Sequence, residues 1–158
     1  VADWLNKNQP PAPAPAFLHN DFKYDNLILD PAQPEKILGI LDWEMATVGD
    51  PLMDLGAFLA YWFEADEHPV FRQYNLSWLP GNPSRAALVE DYAAASGRDL
   101  GPILFYYVFG LFKNAVIAQQ IYKRWKDGFS KDARFGGLLP LIQLMGEKAA
   151  QHLDKGKI

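Results

Sequence analysis

The sequence predicts an α+β protein, mostly helical, in which a small β element precedes a helical body. Two short apolar runs, at residues 27–29 and 37–41, flank a proline-containing turn in the first third of the 158-residue chain. Beyond residue 50, cap and stop residues bracket successive apolar stretches at helical length. No internal repeat interrupts this order.

The elements follow in sequence. Residues 1–8 read as the tail of a helix begun upstream. Pro10, Pro11, Pro13 and Pro15 then impose an extended, semi-rigid path, and residues 1–16 are drawn as a proline-rich linker. A short apolar piece, Phe17-Leu18, leads into His19-Asn20-Asp21. Residues 27–29 and 37–41 read as strands, and residues 31–36 between them have turn composition, giving a β-hairpin. Asp50 is a good N-cap and Pro51 suits the first helical position, so a helix is expected over 52–63. Asn82-Pro83 repeats that signal before residues 86–95, and Gly97 is the stop. Residues 103–126 form the longest helical candidate, apolar all round in its first half and therefore buried in a bundle. Its aromatics, Phe105, Tyr106, Tyr107, Phe109 and Phe112, read as core. A final helix is expected over 137–153.

Composition excludes several functions. Hydrophobic residues make up 49%, far from a disordered chain, and no cysteine is present for disulfides or thiolate chemistry. The formal charge of −4 does not suit a phosphate-backbone binder. The longest apolar run, residues 102–112, is too short to span a bilayer, and no signal peptide opens the sequence, so a cytoplasmic protein is expected. Walker A, G-x-G-x-x-G, G-x-S-x-G and H-E-x-x-H patterns are all absent. Three scattered histidines do not make a multi-histidine metal site. The acids, however, are concentrated. Residues 21–54 hold eight of them against Lys23 and Lys36, a local charge of −6.

One constellation lies within that stretch. His19-Asn20-Asp21 and Asn26 fit H-x-D-x-x-x-x-N, the spacing of a kinase catalytic loop in which the Asp accepts a hydroxyl proton and the Asn binds Mg²⁺. A turn centred near Pro34 pairs residues whose numbers sum to 68, which sets Asn26 opposite Asp42 at the open end of the hairpin. Amide and carboxylate oxygens there suit a hard cation such as Mg²⁺, completed by water and nucleotide phosphates.

The segments FLHNDFKYDNLILD and ILGILDWEMATVGDPLMDLGAFLAYW resemble the aminoglycoside phosphotransferase family, a kinase-like group acting on small molecules. Within it, they are most similar to the kinase-like domains related to those fused to some acyl-CoA dehydrogenases, and FKNAVIAQQIYKRWKDG extends that similarity to about residue 128. The resemblance implies the C-terminal lobe of a protein-kinase-like fold over 17–158, with the hairpin carrying the catalytic and metal residues. It implies Asp21 as catalytic base, Asn26 and Asp42 as holders of Mg²⁺ and nucleotide, His19 as a brace of the loop, and Asp54 as its support from the next helix. The family usually has Gly where this sequence has Asn20. Lys23 has two readings, a partner of the transferred phosphate or a surface lysine balancing Asp25. Glu44, which follows Asp42-Trp43, is open between a role beside the metal and a plain surface acid. Lys123, Arg124 and Lys126 suit a helix C-terminus, or would meet a phosphate-bearing substrate such as a CoA ester.

The expected reaction is Mg²⁺-dependent transfer of the ATP γ-phosphoryl group to a hydroxyl of a small molecule, a hydroxyacyl-CoA or similar. A kinase also needs a loop over the phosphates, a strand lysine and a partner glutamate. The residues before His19 are too few and too proline-rich to supply them, so an N-terminal lobe in a longer parent is expected and the fragment alone is expected to be inactive. The alternatives are a non-catalytic, pseudokinase-like binding or scaffold module, and a metal-dependent phosphoesterase using His19, Asp21 and Asp42.

Overall fold

The computed structural model describes residues 1–11 and 13–158. Its order is α1 (Ala2–Lys7), β1 (Ala16–Leu18), β2 (Leu27–Leu29), β3 (Ile37–Ile40), β4 (Thr47–Gly49), α2 (Pro51–Tyr61), α3 (Arg85–Ser96), α4 (Ile103–Lys126) and α5 (Leu139–Lys155). Short 3₁₀ turns at Tyr24–Asn26, Trp43–Met45, Pro69–Gln73 and Ala133–Leu138 join them. Mostly helical with a little sheet, this is the predicted class. Residues 1–16 are not spacer throughout, because Leu5 of α1 is buried in the main core and Trp4 packs on Phe105.

The β portion is richer than one hairpin. β2 and β3 pair antiparallel, and β1 pairs antiparallel with β4, a three-residue strand that the sequence reading did not separate. The hairpin register also differs from expectation. Leu27 faces Ile40 and Ile28 faces Gly39, but Leu29 faces Ile37, so Leu38 is an extra residue on β3. The turn is centred on Gln33, not Pro34, which alone would lower the pairing sum from 68 to 66; the bulge restores one, so Leu41, not Asp42, lies opposite Asn26, its N–H donating to the Asn26 carbonyl at 2.8 Å.

The helices begin where their caps dictate. Asp50 accepts from the Leu52 N–H at 2.9 Å at the start of α2, and its second oxygen accepts from the Tyr106 hydroxyl. α3 is capped by Ser84, two residues after the expected Asn82, and stops at left-handed Gly97. Asn82 instead accepts from the Tyr24 hydroxyl at 2.8 Å, binding the segment between β1 and β2 to the loop before α3. The core gathers Leu52, Leu55 and Leu59 of α2 with Tyr106, Tyr107, Val108 and Leu111 of α4 and Ala149 of α5. A second cluster joins Phe63, Phe71, Leu141 and Met145. Phe112 departs from its core assignment, lying over a third exposed. Beside the second cluster, Arg85 and Lys148 pair with Glu67, and Arg85 also with Glu64. Burial, with Arg85 nearby, pushes the Lys148 ammonium down to about 8 against the pull of Glu67. Among the described residues, no helix is long and apolar enough to cross a membrane.

α2 and α4 cross at near backbone contact. A Cβ on Gly110 would lie 2.5 Å from the Gly56 carbonyl oxygen, and one on Gly56 would lie 2.3 Å from that of Tyr106. Only glycine permits this approach, and it fixes α2, which carries Asp54, against the helix that carries Lys113. Alanine is favoured over glycine in a helix by about 1 kcal/mol, but here its methyl meets backbone that cannot rotate away. Gly110→Ala should lower the unfolding free energy by roughly 1–3 kcal/mol. Urea denaturation followed by circular dichroism measures this, and a stabilised variant would refute the packing argument.

Candidate active site

The loop between β1 and β2 is held by its backbone. Asp54, in the first turn of α2, accepts the His19 N–H at 2.6 Å and the Asn20 N–H at 2.5 Å, one on each carboxylate oxygen. Asn20 has φ 66°, the left-handed region that asparagine tolerates better than most side chains. Its carbonyl accepts from Lys113 Nζ at 2.8 Å, and its side-chain Nδ2 donates to the Met45 carbonyl at 2.9 Å. These bonds bend the chain so that Asp21 follows directly.

His19 is buried and acts through both ring nitrogens. Nδ1 accepts the Asp21 N–H at 3.2 Å, which leaves Nε2 as the donor to the Leu41 carbonyl at 2.7 Å. Its ring packs on Trp43 at 4.5 Å, and Trp43 stacks on Phe17. The loop is thus pinned to the end of β3. On the same side, Phe17, Phe22, Trp43, Phe58 and Tyr92 help line a mostly apolar cleft of about 650 Å³.

Asp21, Lys23 and Asn26 come together. The Asp21 carboxylate pairs with Lys23 Nζ at 2.7 Å and accepts from Asn26 Nδ2 at 3.1 Å, while the same Nδ2 donates to the Asp21 carbonyl at 2.8 Å. Lys23 meets Asp21, not Asp25. Because the Asn26 amide nitrogen faces two acceptors, its Oδ1 is the atom left for a further ligand. Asp42 stands one residue beyond the paired end of the hairpin with φ 64°. Its carboxylate is exposed and makes no hydrogen bond or ion pair among the described residues. An amide oxygen and a free carboxylate are hard donors, so Asn26 and Asp42 fit Mg²⁺ as partial ligands. No group of three or more His, Cys, Asp or Glu gathers for a metal among the described residues.

Two residues near Asp21 escaped the sequence reading. Tyr61, at the end of α2, has its phenol pushed well up by burial and then by the Asp21 carboxylate, so it stays protonated. Its ring also lies 5.2 Å from Lys23 Nζ. Lys113 is half-buried. Desolvation lowers its ammonium and Lys23 adds to that, while Asp21 and Asp54 oppose. Its signal in the sequence was a lysine breaking an apolar helix, which is ambiguous without the fold. Of the remaining candidates, Asp50 is a helix cap, Lys123 pairs with Asp127, and Glu44, Arg124 and Lys126 are exposed.

Comparison with known proteins settles the family. A model described as "Phosphotransferase enzyme family" matches residues 1–101. The chain belongs to the phosphotransferase enzyme family. Human acyl-CoA dehydrogenase family member 11 is 33% identical over 156 residues, which cover 96% of this chain and 20% of that protein. Mouse acyl-CoA dehydrogenase family member 10 is 32% identical over 157 residues, covering 94% of this chain and 14% of its own. A crystal structure from Ralstonia eutropha JMP134, assigned as an aminoglycoside phosphotransferase, superposes with a TM-score of 0.77 at 29% identity, covering 94% of this chain and 47% of that one. The chain therefore spans a fifth or less of these curated relatives and about half of the solved structure. The fold of this phosphotransferase-family chain is that of a kinase-like C-terminal lobe.

The grip of Asp54 on the loop has a measurable consequence. Asp54→Ala leaves two backbone donors without their charged acceptor and should lower stability by roughly 2–4 kcal/mol. Thermal unfolding gives the loss, and hydrogen exchange should show the amides of His19 and Asn20 deprotected first. An unchanged exchange rate there would contradict the clamp.

Proposed function

We propose that this chain is the catalytic-loop lobe of a longer enzyme that transfers the γ-phosphoryl group of ATP, with Mg²⁺, to a hydroxyl of a small molecule. The observation that carries the reading is the carboxylate of Asp21, at the tip of a loop clamped by Asp54 and braced by His19, in contact with Lys23 and Asn26.

In this reading the substrate hydroxyl oxygen attacks the γ-phosphorus and its proton passes to Asp21. The bond from phosphorus to the bridging oxygen breaks, and the electron pair leaves on the β-phosphate. Little covalent chemistry is asked of the protein, so alignment and charge compensation dominate. Asn26 Nδ2 fixes one face of the Asp21 carboxylate and leaves the other for the hydroxyl. Lys23, on its flexible stem, moves between Asp21 and the transferred group. Asn26 Oδ1 and Asp42 would hold Mg²⁺, which supplies charge neutralisation on the β- and γ-phosphates.

The sequence contains no glycine-rich phosphate loop of the kinase type, and we assign that part to an N-terminal lobe of the parent. The apolar surface of the β elements supports this assignment. Phe17 and Val48 are each 67% exposed, and Leu38, Leu41 and Trp43 lie open beside them, as a face covered by another layer would be. Alone, the chain should not transfer phosphate. The apolar cleft beside His19 and the acyl-CoA dehydrogenase names of the relatives favour a hydroxyacyl-CoA or similar substrate over a polycationic aminoglycoside.

The test uses the longer parent protein with Mg²⁺, ATP and a panel of hydroxyacyl-CoA esters. Asp21→Asn should lower kcat by about 10²–10⁴-fold, the range for loss of a general base, with little change in KM for ATP. Turnover equal to wild type would refute the role of Asp21. Wild-type binding of Mg·ATP with no transfer to any acceptor would instead identify a non-catalytic binding module.

A further inference from the structure

Asp42 makes no side-chain contact that would hold it, yet the turn around it is fixed at both ends. On its N-terminal side, Leu41 is tied by its N–H to the Asn26 carbonyl at 2.8 Å and by its carbonyl to His19 Nε2 at 2.7 Å. On its C-terminal side, residues 43–45 form a 3₁₀ turn closed by the Ala46 N–H on the Trp43 carbonyl at 3.0 Å. The last residue of that turn, Met45, is held through its carbonyl by Asn20 Nδ2 at 2.9 Å. Asn20 is therefore bonded through its backbone N–H, its carbonyl and its side-chain amide, to α2, α4 and the Asp42 turn respectively.

We propose that Asn20 is a positioning residue that ties the loop carrying Asp21 to the turn carrying Asp42, and so sets where the Asp42 carboxylate stands relative to Asn26. This rests on the reading of Asn26 and Asp42 as a metal-binding pair. The bond is well placed for such a task, because it is the side-chain bond from the catalytic loop to the far end of the turn. With it, Asp42 is bracketed between Leu41 and Met45. Without it, the far side of the turn keeps only the β4 pairing that begins at Thr47 opposite Leu18, Met45 loses its direct tie to the loop, and the donors would be gathered more by the metal itself, at a loss of affinity. Glycine at position 20 would accept the left-handed backbone but supply no such bond. The asparagine thus adds a link that the backbone conformation alone does not require.

That distinction makes the test clean. Asn20→Gly keeps the φ of 66° accessible and deletes only the amide bond to Met45, whereas Asn20→Ala deletes the bond and strains the backbone as well. The chain is titrated with Mn²⁺ as a paramagnetic stand-in for Mg²⁺, and free Mn²⁺ is followed by electron paramagnetic resonance. In parallel, hydrogen exchange reports the Ala46 amide. Asn20→Gly should weaken Mn²⁺ binding about 3–10-fold and speed exchange at Ala46, with the His19 and Asn20 amides still protected by Asp54. Asn20→Ala should add slower folding or a lower unfolding midpoint to the same binding loss. Asp42→Ala, as a control, should abolish Mn²⁺ binding and leave the free-Mn²⁺ signal undiminished. Normal Mn²⁺ binding in Asn20→Gly, where Asp42→Ala has lost it, overturns the proposal. Survival of Mn²⁺ binding in Asp42→Ala removes the metal-site reading instead, and absence of binding in wild type, where no nucleotide phosphate completes the ligand set, leaves that reading to the parent enzyme. The Ala46 exchange rate then decides the tie by itself, and a rate unchanged by Asn20→Gly overturns it.

Discussion

Asp54 gives both carboxylate oxygens to two successive backbone N–H groups, those of His19 and Asn20, and the site is built outward from that pair. A side chain that binds another side chain constrains a rotamer, but one that binds consecutive backbone amides constrains the path of the chain. Here it selects the left-handed turn at Asn20 and the direction in which Asp21 leaves it. The clamp is as accurate as the placement of α2. That placement comes from Gly56 and Gly110, where two helices meet backbone to backbone. Packing at the centre of the lobe and hydrogen bonding at its edge are therefore one continuous constraint.

The two carboxylates proposed for function are treated in opposite ways. Asp21 is surrounded by Lys23, Asn26, Tyr61 and the more distant Lys113, so its negative charge is oriented and partly compensated in advance. Asp42 is exposed and its side chain is unpaired among the described residues. A group that must present one lone pair to a reacting proton benefits from fixed neighbours. A group that is to ligate a cation loses by having its oxygens already engaged. Their environments suit the division of labour read from the motif.

Local signals in the sequence were legible because local physics decides them. Asp50-Pro51 and Gly97 bound their helices through backbone groups a few residues away, and the H-x-D-x-x-x-x-N spacing lies within a single loop. What the sequence hid depends on distant partners. Lys113 binds Asn20 across 93 positions, and no periodicity announces such a contact. The hairpin register was missed because the turn is centred on Gln33, not Pro34, and the bulge at Leu38 recovers only one of the two positions, a break that a constant-sum argument does not allow for. β4 is three residues long and exists through pairing with β1, so its own composition carries almost no strand signal. Ser84 displaced Asn82 as a cap because Asn82 was already bonded to Tyr24.

The exposed strands bear on how the molecule behaves in solution. Each sheet has only two strands, so open edges sit beside outward-facing Ile28, Leu29, Ile37 and Leu38. Such edges invite pairing with other chains. Asp25, Asp30, Glu35, Asp42 and Glu44 are spaced through and around these strands, and the net charge of the region is strongly negative. Acids in such positions disfavour self-association. Their protection is electrostatic, so it weakens in high salt. The acidic belt around the candidate site thus also bears on the colloidal stability of the chain.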